Sequence, residues 1–568
     1  MANEANSSPA GAARKFFALL NLDRKDVSAI YAFAILAGLV QLSLPLGIQT
    51  IISFVMAGSI STSIVVLIVL VVTGVFLYGL LQVRQMQIIE KIKQKIFTRY
   101  SFEFADRIPK LDIEKLDSYY LPELVNRFFD TVSLQKGIEK ILLDIPTALI
   151  QIVFGIMLLS FYHPVFIAFG SVLLLLLYII LRNTLPNGFS ASMQASDYKY
   201  KTASWLEEIS RSIKSFKYSR GTSLNVEKTD ILVTNYLNSR TTYFNILLAQ
   251  FWSLIGFKVV IIAAMLIVGV VLLVDQQINI GQFIAADIVI ITVMNSIEKL
   301  IINLDNVYDA FTSIEKMDKV TGAETEKSGT ELISKTGDAI RVRFSNVSFH
   351  YPEGGTVLQN VSFLLNPGEK LCIMGNSGSG KSTALRLLTG AFRNFEGSVL
   401  INDIPIGNYS VGSLRASTGI LLSQQDIFLG TLWENITMGN KDTSIAEITE
   451  TLKLCGLTDF LESLPDGLDT PLDPTGKRLP MKIRQGILLA RALVGHRKLV
   501  LLEDPFHGLE GKTKQEVLSF LKSDTESTVI ITSTDTEVAK NCDKVLYLNR
   551  GVAESFGSWD AVSNQLNA

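Results

Sequence analysis

"KLCIMGNSGSGKSTALRLLTG" (370–390) is the stretch that decides the fold of the carboxyl-terminal part of this chain. An apolar run leads into a glycine-rich loop and then into a helical run, and the loop carries the P-loop pattern GNSGSGKST. Glycines let backbone N–H groups close around phosphate oxygens, and the amino end of the next helix adds positive charge. Lys381 is expected to reach the terminal phosphates, and Ser382 to ligate Mg²⁺. The predicted phosphate-binding residues are Gly375, Asn376, Ser377, Gly378, Ser379, Gly380, Lys381, Ser382 and Thr383.

The sequence around this loop predicts an α/β domain over residues 340–568. Short β-like runs alternate with helical runs from Ile340 onward, which is typical of a sheet covered by helices. A polar, glycine-containing segment over 312–339 predicts a linker in front of this domain.

The amino-terminal half has the composition of a membrane protein. The chain has 568 residues, of which 48% are hydrophobic, and its mean hydropathy of +0.33 is too high for an ordinary soluble enzyme. Residues 27–83 and 145–181 contain no charged side chain, and a third apolar pair covers 247–274 and 278–304. One span needs about 20 residues. The pattern therefore predicts a six-span, all-α domain over 27–311.

Basic residues set the expected orientation. The turns between paired spans carry no Lys or Arg, whereas the loops 84–140 and 182–246 are rich in both. Positive charge favours the cytoplasmic side, so these loops and both termini are expected there, with the α/β domain. The loops also have a helical pattern, so the spans should continue as rods below the membrane. Residues 1–26 are expected to form a polar stub and an amphipathic helix on the membrane surface, with a frayed terminus as the alternative.

Net charge and cysteine content narrow the function classes. The net charge of −2 gives no indication of nucleic-acid binding. The three cysteines lack the spacing of metal ligands and are interpreted as reduced thiols.

A P-loop behind six spans resembles the half-transporters of the ABC exporter family, and the resemblance covers nearly the whole chain. It implies ATP and Mg²⁺ as cofactors. Tyr351 in "VSFHYP" looks like the aromatic residue that stacks on adenine, although a core aromatic would fit the same pattern. Gln424 in "LLSQQDIFLGTLWENI" looks like the Q-loop glutamine at the metal and the reacting water, in a loop one residue short. The segments 116–130 and 206–225 resemble the intracellular loops that carry coupling helices.

The family's LSGGQ signature is altered. Counting back from "ARAL" (490–493), it falls on "LPMKI" (479–483). Pro480 has neither an N–H group nor a hydroxyl, and Met481 and Lys482 replace two glycines that permit close backbone approach. Lys482 could meet a phosphate as a point charge or could be a solvated surface lysine.

The hydrolytic residues deviate as well. In "KLVLLEDPFHGLE" (498–510), Glu503 stands at the metal-organising Asp position and Asp504 at the position of the general base, which is usually Glu. A pair of carboxylates that merely ends a buried strand is the structural alternative. The switch histidine should fall near Thr534 and is absent, and His507 is interpreted as a loop histidine. Pro474 stands where exporters often place Glu. The sequence thus retains what binds ATP and alters what hydrolyses it.

Two functions remain open at this point. One is an exporter subunit with slow hydrolysis, and the other is a hydrolysis-deficient, nucleotide-responsive scaffold or regulator. The resemblance implies a homodimer or a heterodimer in the lipid bilayer of a bacterial inner membrane, and a periplasmic adaptor is a further possible partner. The sequence does not identify the substrate. Asp287, Asn295 and Glu298 form a polar stripe in the last span, with Lys258 at a similar depth, and either a cavity lining or helix–helix contact explains them.

Overall fold

The computed structural model describes residues 9–566 apart from 59–61, 117–120, 220, 335–338, 352–353 and 424. The chain divides into two compact units. The first consists of Met1–Leu111 and Ser118–Glu324, and the second of Asp112–Asp117 and Thr325–Ala568.

The first unit is helical. Its helices are α1 Pro9–Asn21, α2 Arg24–Gln41, α3 Ser43–Met56, α4 Thr62–Arg107, α6 Leu121–Asn126, α7 Asp130–Tyr162, α8 Val165–Arg211, α9 Ile213–Tyr218, α10 Leu224–Val274, α11 Ile280–Ile302 and α12 Leu304–Thr321; α5, Ile113–Leu116, belongs to the second unit. Six helical segments in the described residues are long and apolar enough to cross a membrane. The predicted six-span domain is confirmed.

The helix ends lie where the sequence predicts turns. The break between α7 and α8 falls at His163 and Pro164, and α11 begins with a capping box in which Asn279 and Gln282 bond each other's backbone N–H groups. The first span is interrupted at Leu42, between α2 and α3. Pro45 lies one turn later and has no N–H group for the carbonyl of the preceding turn.

The apolar faces of the spans point outward, as lipid contact requires. On α4, Val72 and Phe76 are 61% and 69% exposed. α4 has 46 residues, which corresponds to about 69 Å of helix, whereas the hydrocarbon core of a bilayer is roughly 30 Å thick. The prediction that the spans continue as rods is therefore confirmed.

A polar network joins three spans. The Gln151 side chain on α7 accepts a hydrogen bond from Ser296 Oγ on α11 at 2.6 Å and donates one to Gln41 Oε1 on α2. Gln151 is 8% exposed and Ser296 is 1% exposed. Each group finds its partner inside the unit, where no water replaces a missing bond.

α1 confirms the predicted amphipathic helix. Its buried face includes Phe16, and Phe17 beside it is exposed. Lys15 Nζ lies 2.9 Å from Glu315 Oε2 and 2.7 Å from Asp318 Oδ2, both on α12. α1 is thus tied to the helix that follows the last span, while its place on a membrane surface stays a prediction.

α12 extends into the segment predicted as a linker. It runs to Thr321, so the first ten residues of 312–339 are helical, and the division between the units falls after Glu324. Ile314, Met317 and Val320 are buried at helical spacing, and a stripe of this kind stabilises a helix through packing although its other faces are polar. The segment was predicted as a linker because its overall composition is polar and does not reveal this buried stripe.

The second unit is an α/β domain, as predicted. Its ten-stranded sheet has the order β5–β4–β1–β2–β12–β11–β3–β10–β9–β6, and β7 pairs with β8 separately. The strands are β1 Val342–His350, β2 Thr356–Leu365, β3 Lys370–Gly375, β4 Phe395–Ile401, β5 Ile404–Pro405, β6 Thr418–Leu421, β7 Gly430–Thr431, β8 Pro471–Leu472, β9 Leu499–Glu503, β10 Thr528–Thr532, β11 Lys544–Asn549 and β12 Val552–Gly557. The helices are α13 Lys381–Leu388, α14 Val411–Ala416, α15 Leu432–Thr437, α16 Ile445–Leu454, α17 Thr458–Ser463, α18 Met481–Leu493, α19 Gly511–Ser523, α20 Thr536–Lys540 and α21 Trp559–Leu566.

The parallel part of the sheet positions the candidate site. β11, β3, β10, β9 and β6 are parallel neighbours, and two clusters of buried apolar side chains pack around the sheet. Cys372 and Cys455 are buried free thiols within these clusters. The carboxyl ends of parallel strands share one edge, which is where ligands bind in such sheets.

Candidate functional site

The P-loop follows β3 and adopts a conformation that requires its glycines. Gly375 has φ +144°, and a Cβ there would lie 2.0 Å from the Leu548 carbonyl oxygen. Gly380 has φ +99°, and a Cβ there would lie 2.8 Å from the Val357 carbonyl oxygen. Any side chain would therefore displace the backbone. Lys381 begins α13, and its Nζ donates to the carbonyls of Gly375 at 2.7 Å and Asn376 at 2.9 Å.

The residues present fit a triphosphate. The loop is a glycine cradle at a helix amino end, and the buried Ser379 Oγ has no hydrogen-bond partner in the described part of the chain. Ser382 lies in the first turn of α13, where it was predicted to meet Mg²⁺. Burial lowers the pKa of Lys381, and the charges of Asp504 and Glu503 oppose that shift.

Glu503 and Asp504 end β9 beside this loop. Glu503 is 8% exposed, and its Oε2 accepts a hydrogen bond from the Ser423 N–H group at 2.9 Å. Asp504 is exposed and has φ +42°, a left-handed conformation that Asp tolerates better than most residues. Burial raises the pKa of the Asp504 carboxyl, while the Lys381 charge lowers it. The two carboxylates thus differ in exposure and surroundings, and their roles at the metal and as general base stay predictions.

A cavity of about 670 Å³ lies at the carboxyl ends of β6, β9 and β10. Glu503, Asp504, His507 and Thr534 line it together with Gln425 and Arg484. Thr534, near which the absent switch histidine was predicted to fall, is exposed there. Gln424, predicted to take part at the metal and in catalysis, lies outside the described residues.

Tyr351 contacts core aromatic rings and also the first turns of the P-loop helix. Its ring meets Phe349 edge-on at 4.9 Å and Phe392 at 5.7 Å between centroids. Its hydroxyl lies 3.3 Å from Thr383 Oγ1 in the first turn of α13 and accepts a hydrogen bond from Arg386 Nη1 at 3.3 Å. The ring is half-buried beside the P-loop helix, and adenine stacking stays a prediction.

The segment "LPMKI" forms the start of α18 and is held by the loop that follows β9. Pro480 precedes the helix without any side-chain cap. Lys482 Nζ lies 2.6 Å from Glu510 Oε1 and holds the pKa of that carboxyl below its usual value. A Cβ on Gly508 would be 3.3 Å from Met481 Cγ. Lys482 is therefore ion-paired within its own chain, which neither interpretation of the sequence included.

Two further contacts go beyond what the sequence predicted. Glu114 on α5 accepts hydrogen bonds from the Arg393 N–H group at 2.7 Å and from Asn394 Nδ2 at 2.6 Å, inside the second unit. It precedes the segment 116–130 that was matched to a coupling loop, of which 117–120 are outside the described residues. In the first unit, Lys258 Nζ lies 2.6 Å from Glu298 Oε2, which confirms that these two residues lie at similar depth.

Comparison with known proteins agrees with this architecture. The family model for the ABC transporter transmembrane region matches residues 27–297, and the ABC transporter model matches 358–507. A bacterial Atm1-family ABC exporter with ATP bound has the same fold, with a TM-score of 0.86, 19% identity, and coverage of 95% of this chain and 96% of that one.

Curated relatives are similar over part of their length. The glutathione/L-cysteine transport system ATP-binding/permease protein CydD of Bacillus subtilis is 33% identical over 252 residues, which are 43% of each chain. The mitochondrial iron-sulfur clusters transporter ATM1 of Candida glabrata is 29% identical over 234 residues, 41% of this chain and 32% of that one. The chain matches each of these relatives over less than half of the relative's length.

Proposed function

Because the chain belongs to the ABC transporters and joins their transmembrane region to their nucleotide-binding region, we propose that it binds Mg-ATP and couples binding to substrate movement out of the cytoplasm. The observation that carries this proposal is the complete P-loop, in which Gly375 and Gly380 leave no room for a side chain and Lys381 bonds back to the loop carbonyls. The loop N–H groups and Lys381 would hold the phosphates, and Ser382 and Glu503 would hold the metal. When bound, ATP supplies the free energy that favours one arrangement of the chain.

Hydrolysis by the chain alone should be slow. The Asp504 side chain is one methylene shorter than Glu, Thr534 offers no imidazole, and Pro480 offers no N–H group. The Lys482–Glu510 ion pair further occupies the amino end of α18. We expect turnover at least about tenfold below the roughly 10 s⁻¹ of a typical enzyme.

A dimer in the bilayer is the proposed assembly. By resemblance, each composite site joins the P-loop of one subunit to the signature helix of its partner. In a homodimer, both composite sites would contain every altered motif. With a partner whose motifs are intact, each composite site would contain altered motifs from this chain only and intact motifs from the partner. A bacterial inner membrane, with the second unit in the cytoplasm, is the proposed location. A periplasmic adaptor would indicate protein or peptide secretion.

The charged side chains of the last span and its neighbour bear on which groups a substrate would meet. The Lys258–Glu298 ion pair is neutral as a whole, so Asp287 is the remaining carboxyl group of the predicted stripe. The relatives named above are a glutathione/L-cysteine transport system and an iron-sulfur clusters transporter, and neither name fixes the substrate of this chain.

The test is nucleotide binding and turnover by the purified chain in lipid nanodiscs. Wild type should bind a fluorescent ATP analogue, and Lys381→Ala should not. Mg-ATPase activity above that of Lys381→Ala supports the exporter proposal. Binding without such activity would instead support the hydrolysis-deficient scaffold, which the altered signature helix and the missing histidine favour. Equal binding by both proteins would refute the nucleotide site.

A further inference from the structure

A polar cleft of about 250 Å³ lies between four helices of the first unit. α7, α8, α10 and α12 each contribute to its walls, and all but one of its eleven lining residues carry a hydroxyl group or a charge. The charged residues are Asp130, Lys199, Arg240 and Asp309. Every lining residue belongs to the first unit, so the cleft is separate from the nucleotide site.

The cleft lies on the rods that continue the spans. Asp130 precedes the uncharged run 145–181 by 15 positions, and Ser192 follows that run by 11. Arg240 precedes the apolar run 247–274 by 7 positions, and Asp309 follows the run 278–304 by 5. At 1.5 Å per residue, these positions are roughly 8–22 Å beyond the apolar runs. The cleft is therefore on the predicted cytoplasmic side, where a dissolved molecule can reach it.

Asp130 forms the buried, acidic end of the cleft. It is 3% exposed, and its Oδ1 lies 3.2 Å from Lys199 Nζ. Its Oδ2 is buried and has no hydrogen-bond partner among the described residues, and the same holds for Ser196 Oγ. Buried polar atoms of this kind are costly unless they are paired. This end of the cleft therefore favours a ligand that supplies N–H donors.

The exposed side of the cleft is basic. The Lys199 side chain is 50% exposed, and Arg240 is exposed as well. The Arg240 guanidinium lies 4.9 Å from the centroid of the Tyr243 ring. A guanidinium that rests on an aromatic face keeps the N–H donors around its edge, where a carboxylate can accept two of them. This side of the cleft is therefore suited to an anionic group.

The wall between the two ends is held by hydroxyl groups. Ser192 Oγ lies 3.0 Å from Thr312 Oγ1 and donates to Asp309 Oδ1 at 3.4 Å. Two carboxylates and two basic side chains make the cleft neutral as a whole. In the described part of the chain, no group of three or more His, Cys, Asp or Glu side chains could hold a metal ion. The cleft thus matches a ligand that carries both signs of charge.

We propose that this cleft binds a small zwitterion, with its ammonium group at Asp130 and its carboxylate at Arg240. Asp130 Oδ2 and Ser196 Oγ accept the ammonium hydrogens, and Lys199 keeps its bond to Asp130 Oδ1. The Arg240 guanidinium donates to the carboxylate. That the bound molecule is a substrate for export rests on the proposed function, whereas its binding does not.

The first experiment is isothermal titration calorimetry on the chain in nanodiscs without nucleotide. The probes are glycine, diglycine and triglycine, which have the same two end groups at different separations. Hydrogen bonds to charged groups are among the stronger ones, so blocking either end of the best probe should lower its affinity at least about tenfold. Acetylation removes the ammonium group, and conversion to the amide removes the carboxylate. Empty nanodiscs give the background.

Variants assign the two ends. Arg240→Gln should lower the affinity for the free probe at least about tenfold and leave the amide form unchanged, because that form has no carboxylate. Lys228→Gln is the matched control, since Lys228 is on the same helix and lies over the Trp205 ring at 4.4 Å. A general loss of structure would instead weaken every form of the probe.

The acidic end has its own pair of variants. Asp130→Asn should weaken the free probe at least about tenfold and leave the acetylated form unchanged. Glu139→Gln is its control, because Glu139 is also on α7 and pairs with Lys93 at 3.0 Å outside the cleft. It should bind the free probe as wild type does.

Each outcome decides the proposal. Saturable binding of none of the three probes overturns it, and so does equal affinity for free and blocked forms or for wild type and Arg240→Gln. Stronger binding of the acetylated form would show an anion site, and stronger binding of the amide form a cation site; either refutes the zwitterion. ATP binding that depends on Lys381, together with no probe binding, leaves the proposed function standing. Probe binding, together with equal ATP binding by wild type and Lys381→Ala, overturns the proposed function and leaves the cleft standing.

Discussion

Replacing Asp504 by Glu should raise the turnover of this chain. The backbone at this position is fixed, since the Asp504 N–H group donates to the Thr532 carbonyl at 3.1 Å and its own carbonyl accepts the His507 N–H group. The side chain cannot advance by a backbone shift, so an added methylene moves the carboxylate forward by about 1.5 Å. A misplacement on the order of 1 Å can cost about 10²-fold in rate. We expect kcat to rise by roughly 10²-fold at most.

The same change has a modest cost in stability. Asp504 has φ +42°, and a left-handed conformation costs on the order of 1–3 kcal/mol for a residue other than glycine, with Asp among the better tolerated. Glu503→Asp is the contrasting variant. Its carboxylate would withdraw from the Ser423 N–H group, now at 2.9 Å, and lose a hydrogen bond to a charged group worth about 1.5–3 kcal/mol.

The assay is phosphate release from Mg-ATP by the chain in nanodiscs, with Lys381→Ala as the background. Thermal unfolding of each variant reports stability, and binding of a fluorescent ATP analogue confirms that the site is intact. A rise for Asp504→Glu and a loss of stability for Glu503→Asp support the reasoning. If Asp504→Glu lowers kcat while ATP binding is unchanged, side-chain length is not what limits this site.

Three further predictions test the binding site and the topology. Lys381→Ala should abolish ATP-analogue binding, because it removes the ammonium at the phosphate loop, and binding titrations measure this. Gly375→Ala should lower thermal stability and abolish ATP-analogue binding, because its Cβ would lie 2.0 Å from a carbonyl oxygen. Gly378→Ala is the matched control: this residue has φ +78° and open space around a Cβ, so the change should cost only backbone strain on the order of 1–3 kcal/mol. Cysteine at Gln277 should react with an impermeant thiol reagent in intact cells, and cysteine at Ser219 should not; labelling at Ser219 would refute the orientation.

Local patterns predicted the parts of this fold that local physics determines. Uncharged runs and loop composition gave six spans, and the glycines of the P-loop gave the strand, loop and helix around Lys381. The rod-like extensions followed from helical periodicity below the spans. In each case the relevant residues are neighbours in sequence or recur at a fixed period, so one sequence suffices.

Contacts between residues that are far apart in the sequence could not be predicted from it. Lys482 and Glu510 are 28 positions apart, and Glu114 and Arg393 are 279 positions apart, so no spacing rule connects either pair. α12 was interpreted as the start of a linker because its polar faces dominate its composition, although Ile314, Met317 and Val320 pack inside. The sequence predicted an altered signature at 479–483 and could not tell what holds that segment in place.

The hydrogen bonds of Gln151 determine which spans can separate during a conformational change. Gln151 belongs to α7, Gln41 to α2 and Ser296 to α11. Breaking these bonds within a hydrocarbon layer would leave amide and hydroxyl groups without partners, at a cost of several kcal/mol for each group. A rearrangement that keeps them intact must move these three helices as one rigid group. Relative displacement in the first unit is then left to the other spans, α4, α8 and α10, of which α8 and α10 pack along each other while the Lys258–Glu298 ion pair joins α10 to α11.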